Sequence, residues 1–139
     1  MEKLPLRLED YLETIYFLVK EKGFARVTDI ANLRKVKKST ITEALKQLAL
    51  KGYINYKPYS TVTLTEKGKE YAKNVIRKHQ ILKDFYEKVL FEENNEEELC
   101  NLEHFLSKET LKKIEALTKF FEEKKLSEDF KEFVSQWSR

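Results

Sequence analysis

Residues 27–65 read VTDIANLRKVKKSTITEALKQLALKGYINYKPYSTVTLT, and this stretch decides the fold. VTDIANLRKV and STITEALKQLALKG each carry apolar residues at helical spacing, and a turn at Lys37 and Lys38 separates them. Two short helices joined by a tight turn are typical of a helix-turn-helix. YINY and TVTLT then alternate like two strands, with KPYS between them. The pattern predicts a winged helix-turn-helix.

Glycines and short polar residues mark the predicted helix ends. The upstream segment LRLEDYLETIYFLVKEKG has an apolar helical stripe, and Gly23 is expected to stop it. Thr28 or Asp29 is expected to cap the second helix. Ser39 is expected to cap the third helix, and Gly52 to end it.

The rest of the chain reads as helices. Thr65 is expected to cap the long helix TEKGKEYAKNVIRKHQILKDFYEKVL, and EENNEEE breaks the pattern before a new helix. Ser107 is expected to cap SKETLKKIEALTKFFEE, and SEDFKEFVSQW reads as a last amphipathic helix. The predicted fold class is therefore mainly α with a small β-hairpin wing. An exposed apolar stripe is predicted at Leu111, Ile114, Leu117, Phe120 and Phe121.

Composition and charge limit the classes of function that fit the chain. The chain has 139 residues, of which 41% are hydrophobic, and a single cysteine that rules out an internal disulfide. It shows neither an apolar leader segment nor a run of 18 apolar residues, so a cytoplasmic protein without membrane contact is expected. Residues 21–79 hold 14 Lys and Arg against 5 Asp and Glu, a net charge of +9. Residues 84–139 hold 9 against 15, a net charge of −6. The basic half indicates a polyanionic partner, although Lys-rich helices can also be simply solvated.

The third helix and the hairpin carry the predicted DNA contacts. In a winged helix-turn-helix the third helix enters the major groove and the wing touches the backbone or minor groove. Short hydroxyls, an amide and lysines can bond base edges and phosphates. The predicted contacts with double-stranded DNA are Lys37, Lys38, Ser39, Thr40, Thr42, Lys46, Gln47, Lys57 and Tyr59. The alternative is a winged helix that binds another protein.

The stretch CNLEH at residues 100–104 raises the question of a metal site. Cys100, Glu103 and His104 share one face of a helix, and Asp10 and Glu13 share a face of the first helix. A charged, solvated helix face is the alternative for each set taken alone. His79 falls in the apolar stripe of the long helix, where a lone histidine is usually a core residue.

Nearly the whole chain resembles the diphtheria toxin repressor family of metal-dependent transcriptional regulators. The resemblance is carried by EDYLETIYFLVKEKGFARVTDIA, STITEALKQL, LTEKGKEYAKNVIRKHQIL and CNLEHFLS. It implies a homodimeric DNA-binding repressor of iron or manganese homeostasis genes, with Fe²⁺ or Mn²⁺ as cofactor and Co²⁺ or Zn²⁺ as further candidates. The implied ligands are Asp10, Glu13, His79, Cys100, Glu103 and His104.

The length indicates the compact manganese transport regulator branch, which lacks the SH3-like domain of larger members. The expected domains are a winged helix-turn-helix at 1–66, a linking helix at 67–92, and a helical metal-binding and dimerisation domain at 93–139. A metal bound between the DNA-binding and dimerisation domains is expected to activate operator binding.

Three positions depart from a single branch of this family. Cys100 is typical of the iron-sensing branch and Asp10 of the manganese branch, so the metal preference is mixed. Lys83 replaces a glutamate of an ancillary site, which argues against a separate second site. The residues are compatible with either one metal ion or a closely spaced pair of ions. A metal-independent regulator is the main alternative, and a zinc hydrolase is disfavoured because HExxH and GxSxG motifs do not occur.

Overall fold

The computed structural model describes residues 3–93 and 95–138 and divides the chain into two compact units, residues 1–76 and 77–139. The predicted order of elements and the fold class are confirmed. The elements are α1 (Leu6–Lys22), α2 (Val27–Arg34), α3 (Lys38–Leu50), β1 (Ile54–Asn55), β2 (Thr63–Leu64), α4 (Glu66–Lys88), α5 (Glu96–Phe105), α6 (Lys108–Glu123) and α7 (Ser127–Trp137). The boundary between the units falls within α4.

The first unit is organised around the apolar stripe of α1. Leu8, Leu12 and Ile15 recur at helical spacing, so all three lie on one face and are fully buried. This face packs with α2, α3, the hairpin and the first half of α4. The same core contains Ile30, Ala31, Ile41, Ala44, Leu45, Leu48, Tyr53, Ile54, Val62, Leu64, Tyr71, Ala72 and Val75.

The hairpin is shorter than the predicted YINY and TVTLT strands but has an additional partner. β1 and β2 pair antiparallel, with Ile54 opposite Leu64. Ala25 and Val62 form a further antiparallel bridge. The nitrogen of Ala25 lies 2.8 Å from the carbonyl oxygen of Val62, and the nitrogen of Val62 lies 2.7 Å from the carbonyl oxygen of Ala25. The wing is therefore tied to the segment that leads into α2.

Two of the predicted helix caps are wrong. α2 begins at Val27 with Arg26 as N-cap, because the Ala25 bridge keeps the preceding backbone extended up to Arg26. Thr28 and Asp29 consequently lie inside the first turn.

The third helix also begins before its predicted cap. The carbonyl of Lys37 accepts bonds from the N–H groups of Thr40 and Ile41 at 3.1 and 3.2 Å, which makes Lys37 the N-cap. Ser39 therefore lies in the first turn, and Lys38 belongs to the helix instead of the turn. Gly52 follows the helix at a φ of 86° and is confirmed as its stop.

The other predicted caps are confirmed. Gly23 adopts the left-handed conformation and donates its N–H to the Val19 carbonyl, which ends α1. The Thr65 hydroxyl accepts the Gly68 N–H at 3.1 Å at the start of α4. Ser107 accepts the Thr110 N–H at the start of α6.

The second unit has a small core of its own. Leu82 and Tyr86 of α4 pack with Leu99 of α5 and Leu111 of α6. The prediction that Leu111 is exposed is therefore wrong, since its side chain is turned inward with the i, i+3 partner Ile114 half-buried beside it. Leu117 and Phe120 are exposed as predicted, and Phe121 is half-buried.

α7 is confirmed as the last helix. Phe130 contacts Phe121 edge-on and Phe91 at ring-centroid distances of 5.4 and 6.4 Å, which fixes the start of α7 to the second unit. Its later residues Phe133 and Trp137 are exposed. The predicted break before α5 is observed, although Asn94 within it lies outside the described residues. Among the residues that the structure describes, no helix has the length and apolar character to cross a bilayer.

Candidate metal centre and DNA-binding surface

Three predicted ligands converge in the second unit. The donor atoms of His79, Cys100 and Glu103 lie within 4.8 Å of one another. His79 comes from α4, and the other two come from α5. Within the cluster, Nδ1 of His79 lies 2.9 Å from Oε2 of Glu103.

Glu103 forms the centre of this cluster. Its side chain is 2% exposed, and its second oxygen lies 3.7 Å from Nε2 of His104, which is 3% exposed. A buried carboxylate is costly unless positive charge and hydrogen bonds compensate it. Two imidazoles and the thiol of Cys100 lie around this carboxylate, and all of these groups can bind a cation. Of the four ligands predicted in the second unit, His79, Cys100 and Glu103 therefore form one cluster, and His104 lies beside Glu103.

The donor types define the ion that fits. Imidazole and thiolate donors suit first-row transition metals, whereas Mg²⁺ and Ca²⁺ prefer oxygen ligands alone. Cys100 is half-buried and has no disulfide. The residues present therefore fit a divalent transition metal and do not fit a magnesium or calcium site.

Asp10 and Glu13 belong to the first unit, both half-buried on α1. An oxygen of Asp10 lies 3.2 Å from the guanidinium of Arg34 on α2. That ion pair holds the Asp10 side chain in place, and sequence reasoning did not anticipate it. The assignment of Asp10 and Glu13 as ligands stays a prediction.

A further carboxylate reaches His79 from the first turn of α5. Oε2 of Glu96 lies 3.1 Å from Nε2 of His79. The sequence predicted the acidic run around Glu96 only as a break before a new helix, and no local spacing links Glu96 to a residue 17 positions earlier. The contact depends on how α4 and α5 pack.

Another acid of the same turn is held by a tyrosine. The hydroxyl of Tyr86 donates a hydrogen bond to Glu98. Burial, and then this bond, raises the pKa of Tyr86 to about 12. The contact anchors α5 to α4 close to the metal-ligand cluster.

α3 and the wing enclose a cleft of about 840 Å³. Four of the predicted DNA contacts line it: Lys38, Thr42, Lys46 and Tyr59. Arg26, Thr28, Ser60 and Thr61 line it too, and these were not among the predicted contacts. An arginine at the wall of a basic cleft is well suited to donate hydrogen bonds to phosphates, and the net positive charge of residues 21–79 is the signal that could have identified Arg26.

The remaining predicted contacts lie around this cleft. Tyr59, at the hairpin tip, is fully exposed in the left-handed conformation at a φ of 63°. Lys57 lines a separate groove of about 430 Å³ along the wing. Lys37 and Ser39 are exposed at the start of α3, whereas Thr40 and Gln47 are half-buried at its edge.

Two family models match successive parts of the chain. The family model described as the iron dependent repressor N-terminal DNA binding domain matches residues 3–62. The model described as the iron dependent repressor metal binding and dimerisation domain matches residues 65–128. The chain belongs to the iron-dependent repressor family. α7 lies almost wholly beyond the second match.

Curated relatives of this family member are transcriptional regulators. An HTH-type transcriptional regulator of Methanocaldococcus jannaschii is 42% identical over 84% of this chain and 96% of its own length. The HTH-type transcriptional regulator MntR of Bacillus subtilis is 37% identical over 84% of this chain and 82% of its own length.

A solved structure of the manganese regulator SloR has a TM-score of 0.72 and 26% identity to the chain. The match covers 81% of this repressor-family chain and 54% of SloR, so the chain spans about half the length of that protein.

Proposed function

We propose that this member of the iron-dependent repressor family is a homodimeric transcriptional repressor of iron or manganese homeostasis genes. It binds operator DNA when a divalent transition metal, Fe²⁺ or Mn²⁺, occupies the cluster at His79, Cys100 and Glu103. The observation that carries the proposal is the convergence of His79 and Cys100 on the buried carboxylate of Glu103. This convergence lies in the part of the chain matched by the family's metal-binding and dimerisation domain.

The DNA-binding surface supports the same function. The cleft between α3 and the wing carries Arg26, Lys38 and Lys46, which can neutralise phosphates on either side of a groove. Thr42 and Ser39 offer hydroxyls to bases or phosphates. We assign the DNA contacts to Lys37, Lys38, Ser39, Thr40, Thr42, Lys46, Gln47, Lys57 and Tyr59, and we add Arg26.

Dimerisation explains how metal binding would control DNA binding. A two-fold dimer presents two recognition helices, which must match half-sites about one turn of DNA apart or a multiple of it. Exposed apolar residues of the second unit, such as Leu117 and Phe120, offer surface for a second copy. Metal binding at the cluster would restrict the conformations of the dimer to those that fit the operator, so the apparent affinity for DNA would rise with the fraction of dimers that fit.

The ligand types support a dual response to iron and manganese. The Cys100 thiolate is a soft donor that favours Fe²⁺, Co²⁺ or Zn²⁺, whereas carboxylates favour Mn²⁺. We therefore expect Cys100→Glu to shift the preference toward Mn²⁺. If Asp10 is also a ligand, Asp10→Met shifts the preference toward Fe²⁺.

The decisive experiment removes the charge at the centre of the cluster. Glu103→Gln keeps the size of the side chain, and we expect it to weaken Mn²⁺ binding by about tenfold or more and to abolish metal-stimulated operator binding. Glu109→Gln, an exposed carboxylate on α6, is the matched control and should behave as wild type. An unchanged circular dichroism melt shows that the fold is intact. Metal-stimulated operator binding by Glu103→Gln at wild-type affinity would refute the site.

We infer binding rather than catalysis, because the curated relatives quoted above are transcriptional regulators. A regulator of this kind acts where the operator is, which places the protein in the cytoplasm. If the protein binds operator DNA equally well with and without metal, the metal-dependent part of the proposal is refuted and only DNA binding by the winged helix is supported.

A further inference from the structure

Each ring nitrogen of His79 lies close to a carboxylate oxygen. Nδ1 lies 2.9 Å from Oε2 of Glu103, and Nε2 lies 3.1 Å from Oε2 of Glu96. The two carboxylates differ in their surroundings, since Glu103 is 2% exposed and Glu96 is 62% exposed. All three residues belong to the second unit.

The chemistry of imidazole decides which nitrogen can serve a metal. A neutral ring has one N–H donor and one lone pair, and only the lone pair can bind an ion. A carboxylate accepts hydrogen bonds and cannot donate one. Histidines that bind metals usually donate the other ring N–H to a carboxylate, which fixes the tautomer and the orientation of the ring.

The positions of the neighbouring donors settle the assignment. Glu103 belongs to the donor cluster with Cys100, so the nitrogen that faces Glu103 is the metal-binding one. That nitrogen is Nδ1. Nε2 then carries the hydrogen and donates it to Glu96, whose solvated carboxylate can accept it at little cost.

We propose that Glu96 is a positioning residue, which accepts the Nε2–H of His79 and so turns the Nδ1 lone pair toward Glu103 and Cys100. The inference rests on the proposed metal site and adds a residue to it. Glu96 itself binds no metal. Its carbonyl-type oxygen, more than its charge, performs this role, so glutamine should replace it.

The test compares Glu96 with its neighbour in the same turn. Glu97 is exposed and lies one residue further along α5, so Glu97→Ala removes the same charge from the same helix end. Anaerobic titration of the full chain with Co²⁺, followed by absorbance, gives the dissociation constants. We expect Glu96→Ala to weaken Co²⁺ binding by about 10- to 100-fold. The Glu96→Gln variant should keep most of the wild-type affinity for Co²⁺, and the Glu97→Ala variant should bind Co²⁺ as tightly as wild type.

A spectroscopic readout checks the tautomer directly. In the Zn²⁺-loaded protein, long-range nitrogen–proton NMR correlations should place the ring hydrogen of His79 on Nε2. A hydrogen on Nδ1 would overturn the proposal. So would equal losses of affinity in Glu96→Ala and Glu97→Ala, or a loss in Glu96→Gln as large as in Glu96→Ala.

The outcomes separate this inference from the proposed function. If Glu103→Gln loses metal binding while Glu96→Ala keeps it, the metal site stands and only the role of Glu96 is refuted. If Glu103→Gln binds Co²⁺ as tightly as wild type, the site itself is refuted, and the role of Glu96 with it.

Discussion

Removal of one buried hydroxyl, by Tyr71→Phe, should destabilise the first unit strongly. The Tyr71 hydroxyl donates to Oε2 of Glu9 at 2.6 Å and accepts the Leu4 N–H at 2.8 Å. All three residues are buried, at 5%, 2% and 1% exposure. A hydrogen bond to a charged group contributes about 1.5–3 kcal/mol, and a buried group left unsatisfied costs about 1–3 kcal/mol. We therefore expect a loss of about 3 kcal/mol in the free energy of unfolding.

The pH dependence of this loss identifies its cause. Burial, and then the bond to Glu9, raises the pKa of Tyr71 above its ordinary value of 10.0. The folded state therefore favours the neutral hydroxyl. Its contribution is fully present below pH 10 and falls as the pH rises from there toward the folded-state pKa. The difference between wild type and Tyr71→Phe should shrink by about 1.4 kcal/mol per pH unit above 10.

Urea titration of the metal-free protein, followed by far-ultraviolet circular dichroism at pH 8 and pH 11, measures both effects. Tyr59→Phe removes a hydroxyl from a fully exposed ring and is the control, with an expected change within about 0.5 kcal/mol. A loss below about 0.5 kcal/mol for Tyr71→Phe at pH 8, or a loss that does not change with pH, would refute the reasoning.

Three further predictions concern packing, DNA and metal. A Cβ at position 68 would lie 1.9 Å from the carbonyl oxygen of Tyr53, so Gly68→Ala should lower the free energy of unfolding by about 1–3 kcal/mol in urea titration, despite the better helix propensity of alanine. Lys46→Ala should reduce the slope of log affinity for DNA against log salt by about 0.9, whereas Lys119→Ala on α6 should leave it unchanged. Co²⁺-loaded wild type should show a thiolate-to-cobalt charge-transfer band in the near ultraviolet, and Cys100→Ser should lose it. An unaltered salt slope for Lys46→Ala, or an absent band in wild type, would contradict the corresponding assignment.

Much of the fold could be predicted because its signals are local. Apolar residues at helical spacing, such as Leu8, Leu12 and Ile15, turn out to form the core. The caps at Gly23 and Ser107 act within a single turn, and both were predicted correctly.

The wrong caps show where local rules fail. Thr28 is a good capping residue by type, but the bridge between Ala25 and Val62 decides where the backbone enters α2. Leu111 illustrates the same limit, since its burial depends on the packing of α6 against α4 and α5. Side-chain type alone does not say which part of an apolar stripe is covered.

Some residues of the candidate metal site could likewise be predicted from local spacing, and others could not. The shared face of Cys100, Glu103 and His104 follows from helical spacing. His79 looks like a core residue from its own surroundings, and only the resemblance to a metal-dependent family added it to the set. The contact between His79 and Glu96 depends on the packing of two helices, so no sequence pattern available here predicts it.

The central claim is that a divalent transition metal switches on operator binding by this protein. The most direct measurement is an anaerobic titration of operator affinity, by fluorescence anisotropy, in the chelated protein and with Mn²⁺, Fe²⁺, Co²⁺ or Zn²⁺ at constant salt. We predict weak binding in the chelated protein and an increase of about tenfold or more with Mn²⁺ and with Fe²⁺. Equal operator affinity in the chelated and the metal-loaded protein would contradict the account.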